Sequence, residues 1–234
     1  AGVKGNPLET RTWPMDTDAV EHTTKCVRAM REAAGDDFDL LLDAHGSPTP
    51  ELSLACAAAI APYRPLFLEE PVKVGSVDAL LEVSGKSEIP IATGEKLFHL
   101  RDFLPLIQAR ACAYLQPDVY HCFGITGLVE IGRAARESQM QMAPHNAGGP
   151  LALAATLTAD AVTPNFLIQE MGDVWFQRFG QYVEHDWSIA NGYINVSDAP
   201  GLGLTVKAQD IAELSYEPLP YRQYRHADGS WKGW

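Results

Sequence analysis

Six ionisable residues recur at a nearly fixed interval along the chain: Asp43, Glu69, Glu95, Asp118, His145 and Glu170, separated by 26, 26, 23, 27 and 25 positions. Each closes a short apolar run, among them DLLLD, LFLE, IPIATGE and FLIQE. One acidic residue at a strand end commonly caps the next helix. Six in register point to a shared site. Five carboxylates brought to one place repel or protonate unless a cation sits among them. Asp43, Glu69 and Glu95, on successive runs, offer the hard oxygen ligands that Mg²⁺ takes, with positions left for water and substrate.

Elements must hold these residues together. The runs are rich in Leu, Ile, Val and Phe without strict alternation, as strands buried on both faces are. Helical stretches lie between them. In 18–34, Val20, Val27, Met30 and Ala34 recur at helical spacing, with Thr17 placed to cap the start and Gly35 to end the last turn. Ser76 and Gly85 bracket a second helix, and 124–137 and 150–162 read as two more. Alternating strand and helix predicts a parallel sheet, and the even spacing favours a βα barrel, whose strand ends share one face with the active site.

A further run, AGVKG, ends at Asn6, giving seven strands where a closed barrel has eight. The chain also opens inside an element without an initiator Met. The expectation is an α/β fold: a TIM-like (β/α)7β barrel over 1–170 that lacks its first strand. Residues 171–234 are expected to be a small C-terminal lobe packing on the barrel and completing its capping region. Trp175, Trp187 and Trp231 would anchor that lobe.

Composition narrows the partners. A net charge of −12 leaves no cationic surplus for phosphates, which argues against nucleic acid. No stretch approaches 18 apolar residues, so no membrane partner is expected. Cys26, Cys56, Cys112 and Cys122 show no CxxC and read as reduced residues. The expectation is a cytoplasmic homo-oligomer acting on a small molecule.

The segments LLLDAHG, FLEEPV, IATGEK, LQPDVYHCFGITG and MAPHNAGGPLALAA resemble the barrel-strand motifs of the mandelate racemase subgroup of the enolase superfamily. Within it they are most similar to the acid-sugar dehydratases of the galactonate dehydratase kind. The resemblance implies a Mg²⁺-dependent β-elimination of water from a sugar acid, giving a 2-keto-3-deoxy acid through an enediolate. It also implies an N-terminal capping domain, absent from these residues. Asp43, Glu69 and Glu95 would be the metal ligands. His145 would take the α-proton, Asp118 would orient the His145 ring, and Glu170 would hydrogen-bond the substrate carboxylate side. His45, two residues after Asp43, would project from the same strand end and protonate the departing hydroxyl; its other reading is a hydrogen bonder beside a metal ligand.

Racemases of this subgroup that use two bases carry Lys-x-Lys at the second strand, where this chain reads Lys4-Gly5-Asn6. An amide accepts no proton at neutral pH, which favours a dehydratase. Lys4 and Asn6 become candidate substrate contacts, Lys4 being equally readable as a solvated strand-end residue. Lys96, Arg101, His121 and Asn146 are weaker candidates, and Glu70, before Pro71, reads as structural. A racemase or epimerase is the alternative, and a non-catalytic sugar-acid-binding barrel a further one.

Overall fold

The computed structural model of the chain describes residues 2–8, 17–172, 177–216 and 218. Among them β1 (Gly2–Gly5), β2 (Asp39–Asp43), β3 (Phe67–Glu69), β4 (Ile91–Thr93), β5 (Tyr114–Leu115) and β6 (Gln141–Met142) form one six-stranded sheet in chain order. Pairing from β1 through β5 is parallel, and the register sets Asp43 opposite Glu69. Parallel neighbours cannot be joined by a tight turn, so each connection is a crossover. The crossovers carry α1 (Thr17–Ala34), α2 (Pro50–Ile60), α3 (Val77–Lys86), α4 (Leu100–Ala109) and α5 (Gly124–Glu137), with α6 (Pro150–Asp160) after β6. This is an α/β fold. No described helix is long and apolar enough to cross a membrane.

The chain divides into two units, one reaching Gly94 and including Leu104–Leu115, the other holding Glu95–Phe103 and the described residues from Gln116 onward. In the first, Leu40, Leu42, Leu68 and Ile91 are buried on one face and Leu41, Phe67 and Ala92 on the other, so β2 to β4 are covered on both faces. Helix α1 packs on α2, and α2 on α3. The starts of α2 and α3 are fixed by side-chain caps. Thr49 accepts from the Leu52 N–H, and Ser76 from the Ala79 N–H. Gly35 ends α1 at φ 78°, donating its N–H to Arg31.

In the second unit α5 packs on α6, and the C-terminal segment lies against α6. Trp187, Leu153, Ala154 and Leu157 form that contact, with Met171, Ile194, Leu202 and Leu204 around them. Val183–His185 pairs antiparallel with Leu204–Val206, and Ile189–Ala190 with Tyr193–Ile194. The second pair turns at Asn191 and Gly192, both left-handed (φ 53° and 78°), as a two-residue hairpin of this twist requires.

Several sequence expectations change. The run FLIQE contributes only a single parallel bridge, Phe166 to Met142, rather than a seventh strand. Strands β4, β5 and β6 stop at Thr93, Leu115 and Met142, so Glu95, Asp118 and His145 stand on the loops just beyond. Gly85 lies inside α3, which ends at Lys86. The Thr17 side chain, Trp175 and Trp231 lie outside the described residues.

Candidate active site and metal centre

The ends of β2 and β3 carry the first two acids. Asp43 and Glu69 are the last residues of paired strands, 2% and 0% exposed. Glu95, 8% exposed, follows Gly94, where a φ of 142° turns the chain out of β4. Asp43, Glu69 and Glu95 can each offer an oxygen, all within 4.8 Å of one another. Three buried carboxylates at that spacing are an all-oxygen donor set, which suits a hard divalent cation. These residues therefore fit a metal ion.

Local cations prepare the set. Lys4, on β1, donates from Nζ to Glu69 Oε1 at 2.8 Å and lies 3.7 Å from Asp43. Burial pushes the Asp43 carboxyl up, but the His45 hydrogen bond and the Lys4 charge outweigh it and hold it below the usual range. Lys4 is thus engaged with candidate ligand carboxylates rather than solvated at a strand end.

His45 reaches this set by a different route from the one its spacing suggests. The strand stops at Asp43 and His45 sits in a turn, at φ 51°. Ala44 and Gly46 donate their N–H groups to the Glu69 and Glu70 carbonyls at 3.0 and 2.8 Å. That turn, not strand alternation, swings the ring back so that Nε2 lies 2.9 Å from Asp43 Oδ2. The other ring nitrogen faces Asn6 Nδ2 at 2.5 Å. Asn6 Oδ1 accepts from the Leu8 N–H at 3.1 Å, which orients the amide with its NH₂ toward the ring. A donor facing Nδ1 makes it the acceptor, so the ring proton stands on Nε2. Asn6, read from sequence as a substrate contact, here uses both ends of its amide on its own chain.

The second unit holds the remaining groups. His145 Nδ1 lies 2.7 Å from Asp118 Oδ2. Asp118 is fixed in turn by the Tyr120 N–H, which donates to Oδ1 at 2.7 Å. With Nδ1–H donated to this carboxylate, Nε2 is the nitrogen left to accept a proton. It points toward carboxylates, 3.3 Å from Glu95 Oε2 and 3.9 Å from Glu170 Oε2. Glu170 Oε2 accepts from the Asn146 N–H at 3.1 Å. Glu95 belongs to the acidic triad and also meets the imidazole.

Of the weaker candidates, Lys96 Nζ lies 3.3 Å from Glu95 Oε1, and the His121 ring meets the Glu95 carbonyl at 2.8 Å. Arg101 is largely exposed, its ion-pair contact being Asp102 at 3.7 Å. The three buried cysteines offer no nucleophile. Burial, then the Asp118 charge, pushes the Cys122 thiol up to about 12, and burial first raises Cys112 to about 12 and Cys56 to about 11. Sequence reasoning missed the Asn6–His45 contact, because nothing in the spacing of residues 6 and 45 signals it.

Residues 4–211 match a family model described as "Enolase C-terminal domain-like". A D-galactonate dehydratase of Ralstonia pickettii (strain 12J) is 33% identical over 224 residues, covering 92% of this chain. One from Cronobacter sakazakii (strain ATCC BAA-894) is 31% identical over 227 residues, covering 94% of it. The chain spans 59% of the length of each of these relatives. Among solved structures, a mandelate racemase/muconate lactonizing enzyme from Jannaschia sp. CCS1 superposes with a TM-score of 0.86 at 30% identity, covering 93% of this chain and 57% of that one.

Proposed function

Since the chain belongs to the enolase C-terminal domain-like family, we propose that it is the catalytic part of a magnesium-dependent dehydratase of a sugar acid, galactonate or a related aldonate or aldarate. The observation that carries this reading is the His145–Asp118 pair at 2.7 Å, with His145 Nε2 turned to Glu95. A base oriented by one carboxylate and facing a metal-ligand carboxylate suits abstraction of a proton α to a metal-held acid. Binding alone requires no such dyad. The relatives named D-galactonate dehydratase support the same class of reaction.

A dication held by Asp43, Glu69 and Glu95 would offset the negative charge that builds on the substrate carboxylate as the α-proton leaves. In this reading His145 Nε2 takes that proton, and Asp118 stabilises the resulting imidazolium through Nδ1–H. The electron pair of the α C–H bond first moves into the substrate carboxylate, giving an enediolate, and then forms a C=C bond as the β C–O bond breaks. His45 supplies the proton that makes the departing hydroxide water, and Glu170 hydrogen-bonds the carboxylate side of the substrate. The enol left behind becomes the 2-keto-3-deoxy acid. Asn6 at the position where a two-base racemase carries lysine favours elimination over epimerisation. The fuller architecture proposed with this is a TIM-like (β/α)7β barrel of which residues 1–170 lack the first strand, with 171–234 helping to cap it in a homo-oligomer.

His145→Asn tests the base. The variant should lose exchange of the substrate α-hydrogen with deuterated solvent by at least ~10²-fold. Its Mg²⁺ affinity should stay within a few-fold of wild type. Undiminished exchange would assign the base to another residue.

A further inference from the structure

We propose that Glu70 is a positioning residue of the metal centre, tying together the chain segments that carry Asp43, Glu69 and Glu95. The role rests on reading those three acids as a metal site. Glu70 is 0% exposed, and a carboxylate is buried at such a cost only where polar partners receive it. Its Oε1 accepts from the Thr93 hydroxyl at 2.5 Å and from the Gly94 N–H at 3.1 Å. Those two residues immediately precede Glu95. Its own N–H donates to the Ala92 carbonyl at 3.0 Å, and its carbonyl accepts from the Gly46 N–H at 2.8 Å. The turn after Asp43 therefore hangs on the backbone of Glu69 and Glu70, while the approach to Glu95 hangs on the Glu70 side chain.

The backbone records how firmly this residue is held. Glu70 has φ 45°, a left-handed conformation unusual for a residue with a Cβ, and it precedes Pro71, which ordinarily forces an extended neighbour. Such a conformation persists only where its surroundings over-determine it, and those places cluster at functional sites. A carboxylate kept for stability alone would be replaceable at a cost in melting temperature and nothing more. A positioning residue must also be felt at the metal, because ligand orientation sets affinity.

The test is Mg²⁺ titration by calorimetry on the full protein, with melting temperatures measured alongside, for wild type, Glu70→Ala, Glu70→Gln and Thr93→Val. Loss of the acceptor in Glu70→Ala should weaken Mg²⁺ binding by ~10–100-fold, the range seen when a residue behind a metal ligand is removed. Thr93→Val deletes one of the two side-chain donors and should weaken binding in the same direction by less. In Glu70→Gln the amide oxygen still accepts from Thr93 and Gly94, so affinity should return to within a few-fold of wild type. Wild-type Mg²⁺ affinity in Glu70→Ala would overturn the proposal, and so would wild-type affinity in Thr93→Val if Glu70→Ala does not fold. Glu70→Gln as weak as Glu70→Ala would also overturn it, because charge rather than tethering would then set affinity. A wild-type protein that binds no Mg²⁺ would remove the metal site itself, and this role with it.

Discussion

At the scale of single residues, the proposed chemistry divides between two imidazoles held in opposite ways. His145 has a carboxylate on Nδ1, which favours a ring that gains a proton. His45 has an amide NH₂ on Nδ1 and Asp43 beyond Nε2, which favours a ring whose proton stands on Nε2, beside the triad. If His45 protonates the leaving hydroxyl, His45→Gln should lower dehydration by ~10²–10⁴-fold while slow α-hydrogen exchange continues. Asn6→Ala, which frees the ring without removing it, should lower dehydration less, roughly tenfold or more, again sparing exchange. Because both changes act through one ring, adding Asn6→Ala to His45→Gln should cost little further. Additive losses, or equal loss of exchange, would separate Asn6 from His45. The residue types were legible in the sequence because six ionisable groups repeat with the period of the fold. The Asn6–His45 contact was not, since it depends on a left-handed turn at His45 that no local signal announces.

At the scale of elements, short parallel strands bring distant acids together, and capped helices bring the chain back for the next. Ser76 shows how much one residue contributes. Its hydroxyl accepts from the Ala79 N–H at 3.1 Å in an exposed setting, so its removal leaves an orphan donor without opening a cavity. Ser76→Ala should destabilise the protein by ~1 kcal/mol in chemical denaturation, with metal affinity unchanged. A change below ~0.3 kcal/mol would mean that α3 is held by packing alone. This cap was readable from sequence, as was the glycine that ends α1. Other features resisted for identifiable reasons. FLIQE has the composition of a strand, yet only Phe166 pairs, and composition carries no information about partners. The loops beyond β4 to β6 were read as strand because only one or two residues separate each strand end from its ionisable residue, and nothing in them marks the last ladder bond. The hairpin at Asn191–Gly192 carried a strong turn signal that the runs on either side, two residues each, were too short to support.

At the scale of the whole molecule, stability and activity make separate demands on buried charge. Asp160 ends α6 with both carboxyl oxygens buried and without a hydrogen-bond partner among the described residues. Burial pushes its carboxyl up to about 8. The folded protein therefore keeps a proton that the unfolded chain, titrating near the usual carboxylate value, releases, so stability falls as pH rises from about 4 to about 8. The slope is at most about 1.4 kcal/mol per pH unit from this group. Asp160→Asn removes the titration, and its melting temperature should gain on wild type steadily between pH 5 and pH 8. Parallel profiles would show that Asp160 is hydrated or paired in solution. The proposed activity joins the two demands, with buried acids gathered for a metal and a base oriented by Asp118 serving dehydration of a sugar acid. Its most direct measurement is the formation of 2-keto-3-deoxy acid when the full protein is given galactonate and a panel of other aldonates and aldarates with Mg²⁺. At least one of these acids should be converted to its keto acid, a chelator should stop the conversion and added Mg²⁺ should restore it. An epimer accumulating in place of keto acid, or keto acid formation indifferent to the chelator, would contradict it.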